Sequence, residues 1–163
     1  MAKQIPKPDL FVVHLMTQNK EEVSRRLKSI GSTEDLGEDN TLLLRVNRKF
    51  SRPQAGWQRL TKLIGSSGTV QPVLSDETGQ PHYPTGELTV RFLKKPSNKD
   101  LKEFGSRYGL RLRDRNEFVP EQAAFQVTDP AASYLPDLVQ QIAADKTIKS
   151  AWANTLSHYK RMK

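Results

Sequence analysis

The spacing of hydrophobic and polar residues predicts the same order of elements in each half of the chain: strand, helix, strand, strand, helix, strand. In the first half, apolar runs and apolar residues at helical spacing predict five elements, at residues 10–16 (strand), 20–30 (helix), 41–47 (strand), 54–64 (helix) and 69–74 (strand). The remaining strand belongs in residues 32–40. That stretch is acidic and has poor strand character, so the first half is the less regular copy.

The second half shows all six elements more clearly. They are predicted at residues 86–93 (strand), 97–109 (helix with its caps), 110–115 (strand), 123–128 (strand), 134–144 (helix) and 147–156 (strand). The strand at residues 110–115 reads LRLRDR, and its alternation of leucine with arginine predicts that its two leucines point inward. The outward row is then basic and consists of Arg111, Arg113 and Arg115.

The two halves align as an internal repeat. Apolar positions in both helices and in the last strand recur 78 positions apart, in the pairs Val23 and Leu101, Leu60 and Leu138, Ile64 and Ile142, and Val70 and Ile148. The offset changes to 77 in the first strand and to 81 in the third, as insertions in loops would produce. We therefore expect a first unit at residues 1–84 and a second at residues 85–163, joined by a turn-rich linker at residues 75–85.

Each copy predicts an α+β fold. A βαββαβ order with right-handed crossovers forms a four-stranded antiparallel sheet with both helices on one face, which is the ferredoxin-like arrangement. We therefore expect two tandem ferredoxin-like units. The second face of each sheet must be solvated, or covered by the other copy or by a partner.

Composition narrows the class of protein. The chain has 163 residues, with 26 Lys and Arg against 18 Asp and Glu, a net charge of +8, and no cysteine. A chain without cysteine forms no disulfides, so we expect a reducing compartment, the cytoplasm, and the first residues do not resemble a secretory signal. No apolar run is long enough to span a membrane, so we expect no membrane partner.

The sequence offers no recognisable catalytic or metal-binding motif. The three histidines, His14, His82 and His158, are scattered, with no neighbouring ligands at metal spacing. The chain has no Gly-rich phosphate loop and no serine nucleophile in a strained elbow. We therefore predict a protein that is not an enzyme and that binds no metal or cofactor.

The basic row has two interpretations. In the ferredoxin-like order the strand that carries Arg111 and Arg113 is a sheet edge, where positive charge discourages edge-to-edge association. The row could instead belong to a basic interaction face. RNA binding of the RRM type needs exposed aromatic residues on the inner strands, whereas the matching positions hold Thr89, Arg91 and Gln126. Basic and acidic residues are also mixed along the chain, so a protein partner is favoured over nucleic acid.

Three segments of the second copy resemble the N-terminal prodomain of subtilisin-like serine proteases. Residues 86–94 read GELTVRFLK, residues 108–110 read YGL after the first helix, and residues 148–154 read IKSAWAN. The prodomain family typically has GELIVRF, LGL and VxxAEPN in the corresponding places. The resemblance covers residues 86–156, and the first copy would be a diverged version of the same unit.

In that family the prodomain is an intramolecular chaperone and a tight inhibitor. Its open sheet face packs on the protease surface, and the extended tail after the last strand lies along the active-site cleft like a substrate. The resemblance implies that this chain binds a subtilisin-like serine protease, in cis or in trans. The implied contact residues are Thr89, Arg91, Arg111, Arg113, Gln126, Trp152, Asn154, Thr155, Leu156, Ser157, His158, Tyr159 and Lys160.

Departures from the family pattern leave several functions open. The unit is doubled, Trp152 and Ala153 stand where the family has Glu and Pro, and no protease catalytic motif follows. The chain could be the propeptide segment of a larger protease, a free-standing inhibitor or a prodomain-like module reused in protein interaction. A basic RNA-binding module is the alternative from another class. We expect a non-catalytic protease-binding module whose second copy makes the contact and whose first copy has a scaffolding or separate binding role.

Overall fold

The computed structural model describes residues 4–16, 20–37, 40–47, 52–129 and 132–156. It has a mixed α+β fold with two antiparallel sheets and, in the described residues, four helices. The elements in chain order are β1 (Ile5–Leu15), α1 (Lys20–Leu27), β2 (Gly31–Asp35), β3 (Thr41–Val46), α2 (Pro53–Ile64), β4 (Gly68–Ser75), β5 (Pro81–His82), β6 (Pro84–Phe92), α3 (Asn98–Tyr108), β7 (Leu110–Arg115), β8 (Gln122–Val127), α4 (Leu135–Ala143) and β9 (Ile148–Thr155). None of the helices in those residues is long and apolar enough to cross a membrane.

The chain divides into two units, each with its own sheet and pair of helices. The N-terminal unit contains the described residues up to Pro84 together with Thr155 and Leu156, and the C-terminal unit is Thr85–Asn154. From the sequence, all of residues 85–163 were expected in the second unit. Thr155 and Leu156 instead return to the first unit, because Leu156 packs against an apolar cluster there.

The sheet of the N-terminal unit has the strand order β2-β3-β1-β4-β5 and is buried on both faces. Alternate residues of β1 point to opposite faces, yet Val12 and Val13 are both 0% exposed. The Val13 face packs against the helices. The opposite face holds an apolar cluster formed by Leu10, Val12, Leu36, Leu43, Val73 and Tyr83, with partly buried Leu156 packed against it. The continuous apolar runs of β1 and β3 match strands that are buried on both sides.

β2 forms although its residues have poor strand propensity. It pairs along its whole length with the apolar strand β3. At its end, Nζ of Lys20 lies 2.8 Å from Oδ2 of Asp35, and Oδ1 of Asp35 accepts a hydrogen bond from the backbone N–H of Gly37. The neighbouring strand therefore decides the structure of this segment, and the local propensity does not.

Residues 75–85, predicted from the sequence as a linker, form an ordered hairpin. β5 pairs with the end of β4. Oδ1 of Asp76 accepts hydrogen bonds from the backbone N–H groups of Thr78 and Gln80, and Oδ2 lies 2.9 Å from Nε2 of His82. These bonds, first among them the one from His82, hold the pKa of Asp76 well below its usual range. Hairpin turns and linkers use the same turn-forming residues, so composition alone does not separate them.

His14 ties the end of the N-terminal unit to its sheet. Its Nε2 donates a hydrogen bond to the carbonyl oxygen of Pro84 at 2.9 Å, and its Nδ1 lies 3.4 Å from the hydroxyl of Thr41. A carbonyl oxygen only accepts, so Nε2 carries the proton and Nδ1 of the neutral ring is the acceptor. Burial lowers the pKa of His14 from its ordinary value, and the bond to Pro84 opposes that shift.

The sheet of the C-terminal unit has the strand order β7-β8-β6-β9. One of its faces packs against α3 and α4, in a core formed by Leu88, Val90, Phe92, Leu101, Phe104, Leu110, Ala123, Phe125, Val127, Leu135, Ile142 and Ile148. The ring centroid of Phe104 lies 5.1 Å from that of Phe92 and 5.3 Å from that of Phe125, so α3 is held to the two central strands β6 and β8 by aromatic contacts.

Helix α3 has defined ends, as the sequence predicts. Ser97 and Asp100 form a capping box, in which each side chain accepts a hydrogen bond from the backbone N–H of the other residue. The helix ends at Gly109, whose φ of 67° lies in the left-handed region that favours glycine. The chain therefore turns directly from α3 into β7.

A bulge in β7 overturns part of the predicted arginine row. Arg111 keeps the expected register, but the pairing with β8 shifts between Leu112 and Asp114 and leaves Arg113 as the extra residue. Asp114 then lies on the same face as Arg111. Arg115 turns to the helix side, where its guanidinium donates hydrogen bonds to oxygen atoms at the start of α3. The alternation of leucine and arginine breaks at Asp114, where the bulge lies, but a charged residue at one position of an edge strand does not by itself specify a bulge.

Candidate protein-binding face

The sheet of the C-terminal unit has a second face, opposite α3 and α4, which we call the polar face. The strand register places its residues in three rows: Glu87 with Gln126 and Arg111, Thr89 with Ala124 and Asp114, and Arg91 with Gln122. The structure therefore brings the predicted residues Thr89, Arg91, Arg111 and Gln126 onto one face. Arg113, at the bulge, reaches the same face through its ion pair with Glu87.

The most accessible charges of the polar face belong to β7. Nε of Arg113 lies 3.0 Å from Oε1 of Glu87, and the Arg113 side chain is 54% exposed. Because β8 lies between β7 and β6, this ion pair spans β8 on the polar face. An exposed pair stabilises a fold by less than about 1 kcal/mol, so its main effect here is to orient Arg113. Arg111 is also exposed and presents a positive charge in the same row as Glu87.

Two other predicted residues serve mainly to join strands. Thr89 is only 8% exposed, and its hydroxyl donates a 2.6 Å hydrogen bond to Oδ1 of Asn154. The backbone carbonyl of Asn154 accepts a second bond, at 3.4 Å, from the hydroxyl of Thr85. These bonds link β6 to β9. Thr89 and Asn154 therefore offer few free polar atoms to a partner.

Arg91 is half-buried at the other end of the polar face. Its Nη2 donates a 2.9 Å hydrogen bond to Oε1 of Gln122. Its Nε is buried and has no hydrogen-bond partner among the residues that the structure describes. Gln126, by comparison, is half-buried and donates from Nε2 to the carbonyl oxygen of Gly86 at 3.3 Å. Both side chains are therefore held against the sheet, and the exposed arginines of β7 project further.

The end of β9 behaves differently from the predicted tail. Trp152 is half-buried in β9, two residues before Asn154, and alternation places both on the polar face. Leu156 packs in the apolar cluster of the N-terminal unit, and its N–H donates a 2.8 Å hydrogen bond to the carbonyl oxygen of Tyr83. Thr155 and Leu156 therefore belong to an internal contact. The remaining predicted tail residues Ser157, His158, Tyr159 and Lys160 lie outside the described part of the chain.

Sequence reasoning missed a pocket at the far end of the polar face. A cavity of about 360 Å³ lies between the face and the β7–β8 loop, and its lining includes Thr89, Asp114 and Phe118. Phe118 is 92% exposed. Oδ1 of Asn116 accepts hydrogen bonds from the N–H groups of Phe118 and Val119, which defines the shape of the loop. The signal in the sequence is Phe118 itself, an apolar residue in a turn-rich loop, but strand periodicity does not say where a loop residue lies relative to the sheet.

The histidines do not form a shared site in the described part of the chain. His14 is bound to Pro84, His82 is bound to Asp76, and His158 lies beyond the described residues. Within those residues, no group of three or more His, Asp or Glu side chains could hold a metal ion.

Comparison with known proteins leaves the polar face to be interpreted from its own geometry. No protein-family model matches the sequence, and no curated protein matches it significantly.

Proposed function

We propose that this chain is a non-catalytic module that binds a subtilisin-like serine protease through the polar face of its C-terminal unit and acts as its inhibitor or folding chaperone. The observation that carries the proposal is the arrangement of Arg111, Arg113 and Gln126 on one face of a four-stranded sheet. A surface built on paired strands changes little when it docks, so little conformational entropy is lost on binding.

The strand orders support the same proposal. In the order β7-β8-β6-β9 the second strand of the unit lies at one edge and its last strand at the other, and the N-terminal sheet has the corresponding order β2-β3-β1-β4, with β5 added beside β4. This is the order of the ferredoxin-like fold, so we propose two tandem ferredoxin-like units. Such a unit is what the resemblance of residues 86–156 to subtilisin prodomains implies.

The packing of Leu156 narrows the proposed tail. A residue whose N–H is bonded to Tyr83 and whose side chain lies in an apolar cluster cannot also lie in a protease cleft. We therefore assign the substrate-like segment to residues 157–160, after Leu156. In this arrangement Leu156 anchors the start of the tail, and the segment that follows makes main-chain contacts with the protease.

An RNA-binding module is the weaker alternative. The inner strands β6 and β8 present Thr89, Arg91, Gln122, Ala124 and Gln126 on the polar face, and none of these side chains is aromatic, as RNA binding of the RRM type requires. If RNA were the partner, the affinity would fall by about a thousandfold or more as salt increases from about 50 to 200 mM.

A cysteine-free chain is compatible with the cytoplasm as the site of action.

Inhibition of a panel of subtilisin-like proteases, measured with a chromogenic peptide substrate, tests the proposal. The double variant Arg111→Glu with Arg113→Gln should weaken inhibition by at least about tenfold, which corresponds to about 1.4 kcal/mol. Lys94→Glu with Lys95→Gln is the matched control, because these exposed lysines lie in the same unit but outside the polar face. The control should inhibit as the unaltered chain does.

Deletion of residues 157–163 separates the face from the tail. The shortened chain retains Leu156 and should still bind the protease, but its inhibition of peptide cleavage should weaken by at least about tenfold. Unchanged inhibition would remove the tail from the proposal. Absence of binding to every protease of the panel, by a chain whose circular dichroism shows that it is folded, would contradict the protease-binding function itself.

A further inference from the structure

The outer edge of β7 is a second surface of the C-terminal unit, distinct from the polar face. β7 is the first strand of the order β7-β8-β6-β9, and no described strand lies on its outer side. The N–H of Thr128 donates to the carbonyl oxygen of Gly109 at 3.0 Å, which sets the phase of the antiparallel ladder. In this phase the backbone of Arg111 is directed at β8, and the N–H groups of Leu110 and Leu112 point outward.

A groove runs along this edge between β7 and α3. Its volume is about 690 Å³, and Leu101, Leu110 and Leu112 contribute apolar atoms to its lining. Leu112 is 40% exposed. α3 approaches the strand closely at Gly105, where a Cβ would lie 2.6 Å from the carbonyl oxygen of Leu110. The glycine therefore allows α3 to lie against the outward carbonyl of Leu110, and the groove runs on beside the outward backbone groups of Leu112.

The charges beside this groove all have the same sign. Lys102 and Arg111 are its two charged lining residues, and the lining contains no Asp or Glu. The corresponding groove between α1 and β2 in the N-terminal unit is lined by both signs, including Lys20 and Asp35, which pair with each other at 2.8 Å. Of these two grooves, the one at β7 combines an apolar strip with a lining whose charged residues are all basic, and Asp114 of the same strand lies outside that lining.

We propose that the edge of β7 accepts an extended segment of a partner protein in which acidic and apolar side chains alternate. An added strand would pair with the outward backbone groups of β7. Its side chains alternate between the two sides of the sheet. Those on the helix side would contact Leu112 and the groove, and those on the other side would lie next to Arg111 and Arg113, where carboxylates are attracted.

A second copy of the same strand fits this edge poorly. Pairing β7 with another β7 would place Arg111 and Arg113 of one copy beside the same residues of the next, and like charges in cross-strand positions are destabilising. The arginines thus oppose self-association and favour an acidic strand. This choice of partner comes from the charges around the edge, because the backbone groups alone would accept either.

A short synthetic peptide that alternates Glu and Val tests the inference, with binding measured by fluorescence anisotropy. A peptide of the same composition with all Glu before all Val is the first control, and a peptide that alternates Lys and Val is the second. We expect the alternating Glu peptide to bind at least about tenfold more tightly than either control. Equal binding of the block peptide would show charge attraction without strand pairing and would overturn the inference.

Two leucine variants locate the binding. Leu112→Glu should weaken binding of the alternating Glu peptide by at least about tenfold, and Leu93→Glu should not, because Leu93 is a 58% exposed leucine of the same unit that lies outside the groove. Protection of the Leu112 amide from hydrogen exchange on peptide binding is expected as well. Equal affinity of both variants, or occupation of this edge by a second copy of the chain, would contradict the inference.

The test of peptide binding at the edge of β7 can fail or succeed independently of the test of protease inhibition. Leu112 lies on the helix side of the sheet, so Leu112→Glu should leave protease inhibition by the polar face unchanged. Loss of peptide binding with normal inhibition supports the edge site independently. Failure of the peptide to bind at all would overturn the edge site and would leave the protease proposal intact.

Discussion

The two sheets of this chain share the order of four strands, to which the N-terminal sheet adds β5, and they differ in what their second faces carry. In the N-terminal unit that face holds Val12 and Leu43, both buried in an apolar cluster. The repeat offsets of the first and third strands align these positions with Thr89 and Ala124 of the polar face. A few alternate positions thus decide whether the same strand order produces a sheet buried on both faces or a sheet with a polar face. This difference is the reason why the proposed function gives the binding role to the C-terminal unit and a scaffolding role to the N-terminal unit.

The largest effect should come from placing the same polar side chain at the aligned positions. Leu43→Gln should lower the free energy of unfolding of the N-terminal unit by about 3 kcal/mol or more, because it removes apolar contacts and buries an amide. Ala124→Gln should cost less than about 1 kcal/mol, because its side chain lies on the polar face. Urea denaturation followed by circular dichroism measures both. If both variants lost the same free energy of unfolding, the second face of the N-terminal sheet would be no more buried than the polar face, which would contradict the comparison.

A smaller loss of stability is expected when Leu156, the last described residue, loses its contact with the apolar cluster of the N-terminal unit. Leu156→Ala should lower the free energy of unfolding by about 1–2 kcal/mol, since Leu156 is only partly buried in the cluster. Leu63→Ala, at a leucine of α2 that is 38% exposed, is the control and should cost about 0.5 kcal/mol or less. A Leu156 variant as stable as the control would mean that the end of β9 is not anchored in the N-terminal unit.

The smallest effect is a pH dependence confined to the N-terminal unit. Burial lowers the pKa of His14 below its ordinary value of 6.5, so at pH values between its folded pKa and 6.5 the unfolded chain binds more protons than the folded chain. Stability therefore rises with pH through this window and falls as the solution becomes more acidic. The difference in unfolding free energy between the chain and its His14→Gln variant, followed from about pH 5 to 8, isolates this contribution. A difference that does not change with pH would contradict the burial of a neutral ring.

The sequence predicted the elements well where hydrophobic periodicity was strong. β7 has the predicted bounds, Leu110–Arg115, and α3 ends at Gly109 as its glycine stop indicates. The acidic residues of β2 give a poor strand signal, because the strand forms through pairing with β3 and not through the propensity of its own residues. The boundary residues 75–85 were assigned to a linker because turn formers are common to linkers and hairpins.

The positions of the candidate site residues could be predicted only in part, because some of them depend on strand pairing and on contacts between distant parts of the chain. Alternation placed Arg111 and Gln126 on one face, and they do lie opposite each other in the register of β7 and β8. The bulge at Arg113 moved Arg115 to the helix side, and no single-sequence pattern predicts a bulge. The contact of Leu156 with the N-terminal unit joins residues far apart in the chain. Such contacts depend on the assembled fold, so local periodicity carries no signal for them.

A photo-crosslinking residue at Gln126, compared with one at Gln58, tests most directly whether binding belongs to the C-terminal unit. Gln126 lies on the polar face, and Gln58 is an exposed residue of α2 in the N-terminal unit. Each variant is illuminated with a subtilisin-like protease that the chain inhibits. We expect crosslinks from Gln126 and none from Gln58. Crosslinks from Gln58 with none from Gln126 would contradict this expectation and would assign the binding surface to the unit described here as the scaffold.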